Sequence, residues 1–168
     1  TAGGALTLSS ANGFTSIAAS AGPDSQTSGA LVPGNTGSLG TGPITLGNTS
    51  GMTAIQFPAA LGNATFSNNI ALSSPPTAVT TRLLADESNV TITLSGILSG
   101  GNSNQELLID NDSGSGDLGK IRLTNSANNF TTSRIRINRG GLVITSDGAL
   151  GNTANPLTLD VTSNLAGS

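Results

Sequence analysis

Histidine and cysteine are both absent from the chain, and so are tryptophan and tyrosine. A serine or cysteine nucleophile normally needs an imidazole beside it, so the usual hydrolytic triads are excluded and only rare lysine-based variants remain. The single lysine, Lys120, lies in an alternating run rather than a loop or cleft motif, which gives no case for it as a base. A tetrahedral zinc site of Cys and His ligands is excluded by the same absences. Without cysteine there is no disulfide framework, which argues neither for nor against export. Charge is also scarce: 9% of residues are charged, six are Lys or Arg, and the formal net charge is −3. Six cations are too few for a nucleic-acid surface. No apolar run approaches the length of a membrane-spanning helix, no basic-apolar signal segment is present and position 1 is not Met. The expectation is a chain that was processed or that belongs to something larger.

What the chain does have is aliphatic alternation with small polar punctuation. In KIRL (120 to 123) Ile121 and Leu123 alternate with Lys120 and Arg122, and in RIRI (134 to 137) Ile135 and Ile137 alternate with Arg134 and Arg136. Period two places the aliphatics on one face of a strand and the cations on the other. Between such runs sit Ser126 to Asn129, Asn138 to Gly141 and Asp147-Gly148, residue types that tolerate positive φ or bond their own backbone. No helical period occurs. Further strands are expected at Leu6 to Leu8, Phe14 to Ala18, Ile44 to Leu46, Thr53 to Phe57, Ala64 to Phe66, Asn69 to Leu72, Ala78 to Leu84, Val90 to Leu94 and Glu106 to Asp110. Pro58, Pro75 and Pro76 cannot donate to a ladder and fall at corners. Residues 21 to 41, rich in Gly, Pro and Ser, read as an insertion loop with one brief strand at Leu31-Val32.

The punctuation recurs in fixed order. Ser10-Ala11-Asn12-Gly13-Phe14-Thr15 answers Ser126-Ala127-Asn128-Asn129-Phe130-Thr131, and Gly37-Ser38-Leu39-Gly40 before Pro43-Ile44-Thr45-Leu46 answers Gly148-Ala149-Leu150-Gly151 before Pro156-Leu157-Thr158-Leu159. Such recurrence points to an array architecture. Short strands without helix admit either a sandwich, whose hairpins Asn12-Gly13 and Asp147-Gly148 would turn, or a parallel β-solenoid of stacked rungs.

On these residues the chain resembles the autotransporter-associated β-strand repeat of secreted bacterial surface proteins. Its pattern is matched at Asn128 with Phe130-Thr131, at Gly140-Gly141, at Leu142 to Ile144, at Gly148 to Gly151 and at Pro156 to Leu159. The runs 65 to 72 and 89 to 101 resemble the spacer strands of such passengers. Where that family usually continues with Gly-Gly-Thr, this chain has Thr132-Ser133 and Ser16-Ile17. The resemblance, with the recurring turns, implies an all-β, right-handed parallel β-helix over 1 to 168, with one repeat copy at about 3–47, spacer strands at 48–117 and a second copy at about 118–161. Each rung is expected to take about 20 to 30 residues, with Ile121, Ile135, Leu142 and Leu157 in the dry interior. It also implies an extracellular or cell-surface setting and a structural role as a fibre or adhesin segment, with further copies or adjoining solenoid meeting its open strand edges.

Few side chains suggest chemistry. Arg134, Arg136 and Arg139 with Lys120 and Arg122 form the one basic cluster, read as a solvated strand face, or else as a contact for an acidic neighbour or an anionic glycan. Asp86-Glu87 and the group Asp110, Asp112 and Asp117 are the dense acids; sugar cleavage would need two acids across a cleft, drawn from Asp110, Asp112, Glu106 and Asp117. Asp110 to Asp117 offers alternating oxygen ligands suited to calcium, but Gly114 occupies its fifth position and no terminal Glu follows, so it reads as an exposed polar turn. The expectation is no catalytic residue, no cofactor and no metal site. The alternative role is an adhesin module holding a glycan or host protein through loops 21 to 41 or 110 to 117, and a polysaccharide-active enzyme ranks third.

Overall fold

The computed structural model describes residues 5–8, 17–21, 28–48, 52–85, 90–110 and 119–159. Strands come where alternation predicts them, because period-two sequences bury one face and expose the other. In chain order, β1 (Ala5–Leu8), β2 (Ile17–Ala21), β3 (Ser28–Pro33) and β4 (Ile44–Asn48) are followed by β5 (Met52–Phe57) and β6 (Ala64–Phe66). Next come β7 (Ile70–Leu72), β8 (Val79–Ala85), β9 (Thr91–Leu94), β10 (Leu98–Gly100) and β11 (Gln105–Asp110). The last four are β12 (Lys120–Leu123), β13 (Arg134–Ile137), β14 (Gly141–Ile144) and β15 (Leu157–Leu159). Short 3₁₀ turns at Ala59–Leu61 and Asp147–Leu150 are the described helical elements.

The strands form three sheets. Sheet A runs β1-β3-β5-β8-β11-β13-β15, sheet B runs β10-β7-β4-β2 and sheet C runs β14-β12-β9-β6. Every pairing among them is parallel. The chain therefore coils as a β-solenoid, and the sandwich alternative falls because its hairpins would be antiparallel. Thr91 pairs with Lys120 and Lys120 with Gly141, so a circuit takes about 20 to 30 residues, the length proper to such repeats. Asp147-Gly148 opens a 3₁₀ turn at a corner rather than a hairpin.

Registration stacks like on like. One inner column of sheet A passes from Leu31 through Ile55, Leu83, Ile109 and Ile137 to Leu159. In sheet C, Ile92, Ile121 and Leu142 form a second, and Phe66, Leu94, Leu123 and Ile144 a third. Most of these side chains are fully buried in a single elongated core, with Phe57 and Phe66 in ring contact, centroids 5.1 Å apart. Each buried Leu or Ile contributes about 1.5–3 kcal/mol, so a chain with few aromatics builds its core by repeating one aliphatic position.

Two expectations need correcting. The brief strand expected at Leu31-Val32 is part of a longer one that belongs to the coil rather than to an insertion loop: Ser28–Pro33 is a full member of sheet A, paired to β1 and β5, and Leu39 in the following turn is buried. Ladder hydrogen bonds come from backbone, so Gly29 and Ala30 pair as well as bulkier residues. Of the four side chains assigned to the interior, Ile121 and Ile135 are fully buried and Leu142 packs against the core, but Leu157 is 51% exposed. Leu157 lies in register with Ile135; it is exposed because β15 is the outermost strand of sheet A, with no described strand beyond it. The strand expected from Phe14 is β2, beginning at Ile17, and Phe14 lies outside the described residues, as does the whole motif from Ser10 to Thr15. β10, not separately anticipated, extends sheet B.

Candidate functional site

The repeated motif residues do structural work between rungs. Asn128 is buried; its Oδ1 accepts the Leu98 N–H at 2.8 Å and its Nδ2 donates to the Ala149 carbonyl at 2.9 Å. One side chain thus ties the rung before it to the rung after it, at a corner where the ladder is interrupted. Asn68 makes the backward half of this tie, its Nδ2 lying within hydrogen-bond reach of the Leu39, Gly40 and Gly42 carbonyls of the preceding rung. Phe130, fully buried, fills the same corner. Gly151 has φ 75° and a Cβ there would lie 2.6 Å from the Phe130 ring, so glycine is required on both counts. The aromatic of one rung and the closing glycine of the next are one contact.

The ends of the columns form the first candidate surface. Ile144, Leu157 and Leu159 are the exposed large hydrophobics among the described residues, and all three lie on β14 and β15, the outer strands of sheets C and A. They continue columns that are dry two strands below. Beside them run strand edges whose backbone groups have no described partner strand.

The second feature is the outer face of sheet A. All six residues of β11 are buried, although Glu106, Leu108 and Asp110 alternate with the core-facing Leu107 and Ile109. Glu106, opposite Arg134 in register, bonds Arg134 Nε through Oε2 and Arg136 through Oε1, at 2.8 Å to NH2 and 3.0 Å to Nε. Asp110 accepts from Arg82 NH2 at 2.6 Å and from Asn138 Nδ2 at 3.2 Å. Both carboxylates thus have both oxygens engaged, which is how anions tolerate burial.

This arrangement sorts the candidate residues. The basic cluster is not one stripe: Arg134 and Arg136 lie on sheet A in ion pairs, whereas Lys120 and Arg122 lie on sheet C. Lys120, Arg122 and Arg139 have no acidic partner among the described residues. Glu106 borders an open groove of about 540 Å³ that runs from Met52 and Val79 to Arg134. It is the only acid among the described residues that line the groove, whereas glycoside cleavage uses two carboxylates. Asp86-Glu87, Asp112 and Asp117, with the rest of the acidic loop after Asp110, lie outside the described residues. Among those described, no three His, Cys, Asp or Glu residues gather as metal ligands, and no helix is long and apolar enough to cross a membrane. The ion pairs were missed in the sequence because their partners are a full circuit apart; the aligned spacing of Glu106, Arg134 and Arg136 on alternating strands was the available signal.

Compared with known protein families, curated proteins and solved structures, the chain matches none.

Proposed function

We infer that this chain is a non-enzymatic structural segment of a bacterial extracellular fibre or surface adhesin, lengthened by laying β-rung on β-rung. The observation that carries the reading lies at the outer strands of the described stack: Ile144 (39% exposed), Leu157 and Leu159 (66%) extend dry columns to parallel edges beyond which no strand is described. A further rung laid on β14 and β15 would cover these side chains as β15 covers the buried Ile135, and would satisfy the edge amides and carbonyls in the same step. That rung belongs to adjoining solenoid, either further along one polypeptide or from a second copy. Head-to-tail contact of this kind does not close on itself, so it yields a filament rather than a ring. The bacterial, extracellular setting comes from the resemblance to autotransporter-associated repeats. The engaged carboxylates of sheet A and the Asn128 and Phe130 corner support a scaffold, since the buried Glu106, Asp110 and Asn128 side chains each bond a neighbouring rung.

Sedimentation velocity and negative-stain electron microscopy over a range of concentrations test this, with a Leu157→Asp, Leu159→Asp double variant alongside. The expected result is rods of one width whose length grows with concentration, and none for the variant. A chain that stays at one short length at every concentration, with no longer rods in native material, sinks the reading.

A further inference from the structure

The outer face of sheet C carries chemistry that stacking does not use. Arg122, Thr93 and Thr65 are consecutive partners across β12, β9 and β6, and Lys120 pairs with Thr91 in the parallel row. Arg122, Lys120 and Thr65 are exposed and Thr91 and Thr93 half-buried. With Asn63 and Ala64 the three threonines and Arg122 line a shallow cleft of about 330 Å³. Asn63 Oδ1 accepts the Thr91 N–H at 2.7 Å, fixing the side chain at the cleft's border, and its Nδ2 has no partner among the described residues.

Charge is segregated on the described surface. Glu106 and Asp110 are consumed on sheet A, while Arg122 and Lys120 stand side by side with no acidic partner among the described residues. Of the six cations in the chain, three have no acidic partner among the described residues, and two of these, Lys120 and Arg122, share one strand face. Gly141, the register partner of Lys120, leaves the lysine stem room to lie across it, since a Cβ there would come within 3.0 Å of Lys120 Cγ.

We propose that this face binds a carboxylated polysaccharide laid across the strands. Successive strands are about 4.8 Å apart, so a ligand crossing them meets hydroxyl, hydroxyl and guanidinium in sequence. Threonine hydroxyls both donate and accept, as sugar hydroxyls do. The planar guanidinium of Arg122 matches a carboxylate with two parallel hydrogen bonds, and Lys120 supplies a second positive point one position along the strand pattern. The site is built of strand residues and is independent of how the ends of the stack are covered.

Binding of polygalacturonate, neutral dextran and poly-glutamate, measured by calorimetry on the whole chain at low and at physiological ionic strength, tests it. The expected order is polygalacturonate above poly-glutamate, with dextran unbound. Arg122→Gln weakens polygalacturonate about tenfold, the loss of one charge-assisted contact. Thr93→Val, which keeps the strand shape, weakens polygalacturonate and leaves poly-glutamate unchanged. Both positions face outward, so thermal melts report an intact fold in each variant. No binding of polygalacturonate, or an Arg122→Gln variant that binds it as well as the parent, overturns the proposal. Equal affinity for poly-glutamate with no effect of Thr93→Val also overturns it, reducing the face to an unspecific anion contact.

Discussion

Two truncations in one column, Leu107→Ala and Leu157→Ala, isolate the effect of rung stacking from that of residue type. Both leucines belong to the same inner column of sheet A, separated by Ile135. Leu107 is fully buried, with β8 on one side and β13 on the other. Its loss removes the transfer energy of the side chain and leaves a cavity that flanking strands cannot collapse, which costs about 3–4 kcal/mol. Leu157, 51% exposed, loses about half of an ordinary burial term and leaves no enclosed cavity, so about 1 kcal/mol is expected in the isolated chain. Urea unfolding at low concentration reads both costs. The order reverses in an assembly assay, where Leu157→Ala weakens rod growth and Leu107→Ala does so only through lost stability. Equal destabilisation by the two changes would refute the reasoning, because it would mean that Leu157 is already as enclosed as Leu107.

Other perturbations probe the corners and the charged face. Glu106→Gln leaves Arg134 and Arg136 without their shared anion; as both guanidinium groups reach solvent, a loss of about 2 kcal/mol is expected by urea titration. Asn128→Ala strands the Leu98 N–H and the Ala149 carbonyl in a buried corner and costs about 2–4 kcal/mol, whereas Asn129→Ala at the exposed neighbouring position changes stability by less than about 0.5 kcal/mol. Gly151→Ala forces a positive-φ backbone that glycine alone adopts readily and a clash with Phe130, for at least about 3 kcal/mol, while Gly62→Ala, with a similar backbone but open space around it, costs about 1–3 kcal/mol, the smaller loss of the two. Thermal melts of this last pair separate backbone strain from overpacking.

Much of the architecture is written in local pattern. Lys120 to Leu123 alternates exposed and buried as its letters alternate, and so do the half-exposed and buried positions of Thr91 to Leu94. The recurring turns likewise point to stacked rungs, because each turn closes a circuit of similar length. What the letters conceal is pairing across a circuit. Glu106 and Asp110 look like available acids until Arg82, Arg134 and Arg136 are placed on neighbouring strands. Residues 28 to 33 offer only Leu31-Val32 as a strand signal inside a run rich in Gly, Pro and Ser, yet a ladder position flanked by two other strands needs little side chain. Leu157 has the pattern of a core residue and the exposure of a surface one, a distinction that depends on what lies beyond its strand rather than on its own neighbours in sequence. The sheet C cleft was equally hidden, since Asn63, Thr65, Thr93 and Arg122 come from three successive circuits.

Parallel registration of successive rungs underlies all of this, and a disulfide can read it directly because the chain contains no cysteine. Thr93 and Arg122 are register partners on adjacent parallel strands, about 4.8 Å apart and within the Cα range that a disulfide spans. Thr65 and Arg122 lie two strands apart in the same row. Oxidising the Thr93→Cys, Arg122→Cys variant is predicted to give an intramolecular crosslink in nearly every molecule, and the Thr65→Cys, Arg122→Cys variant none. Failure of the first pair to close, or closure of the second with equal ease, would contradict the stacked solenoid.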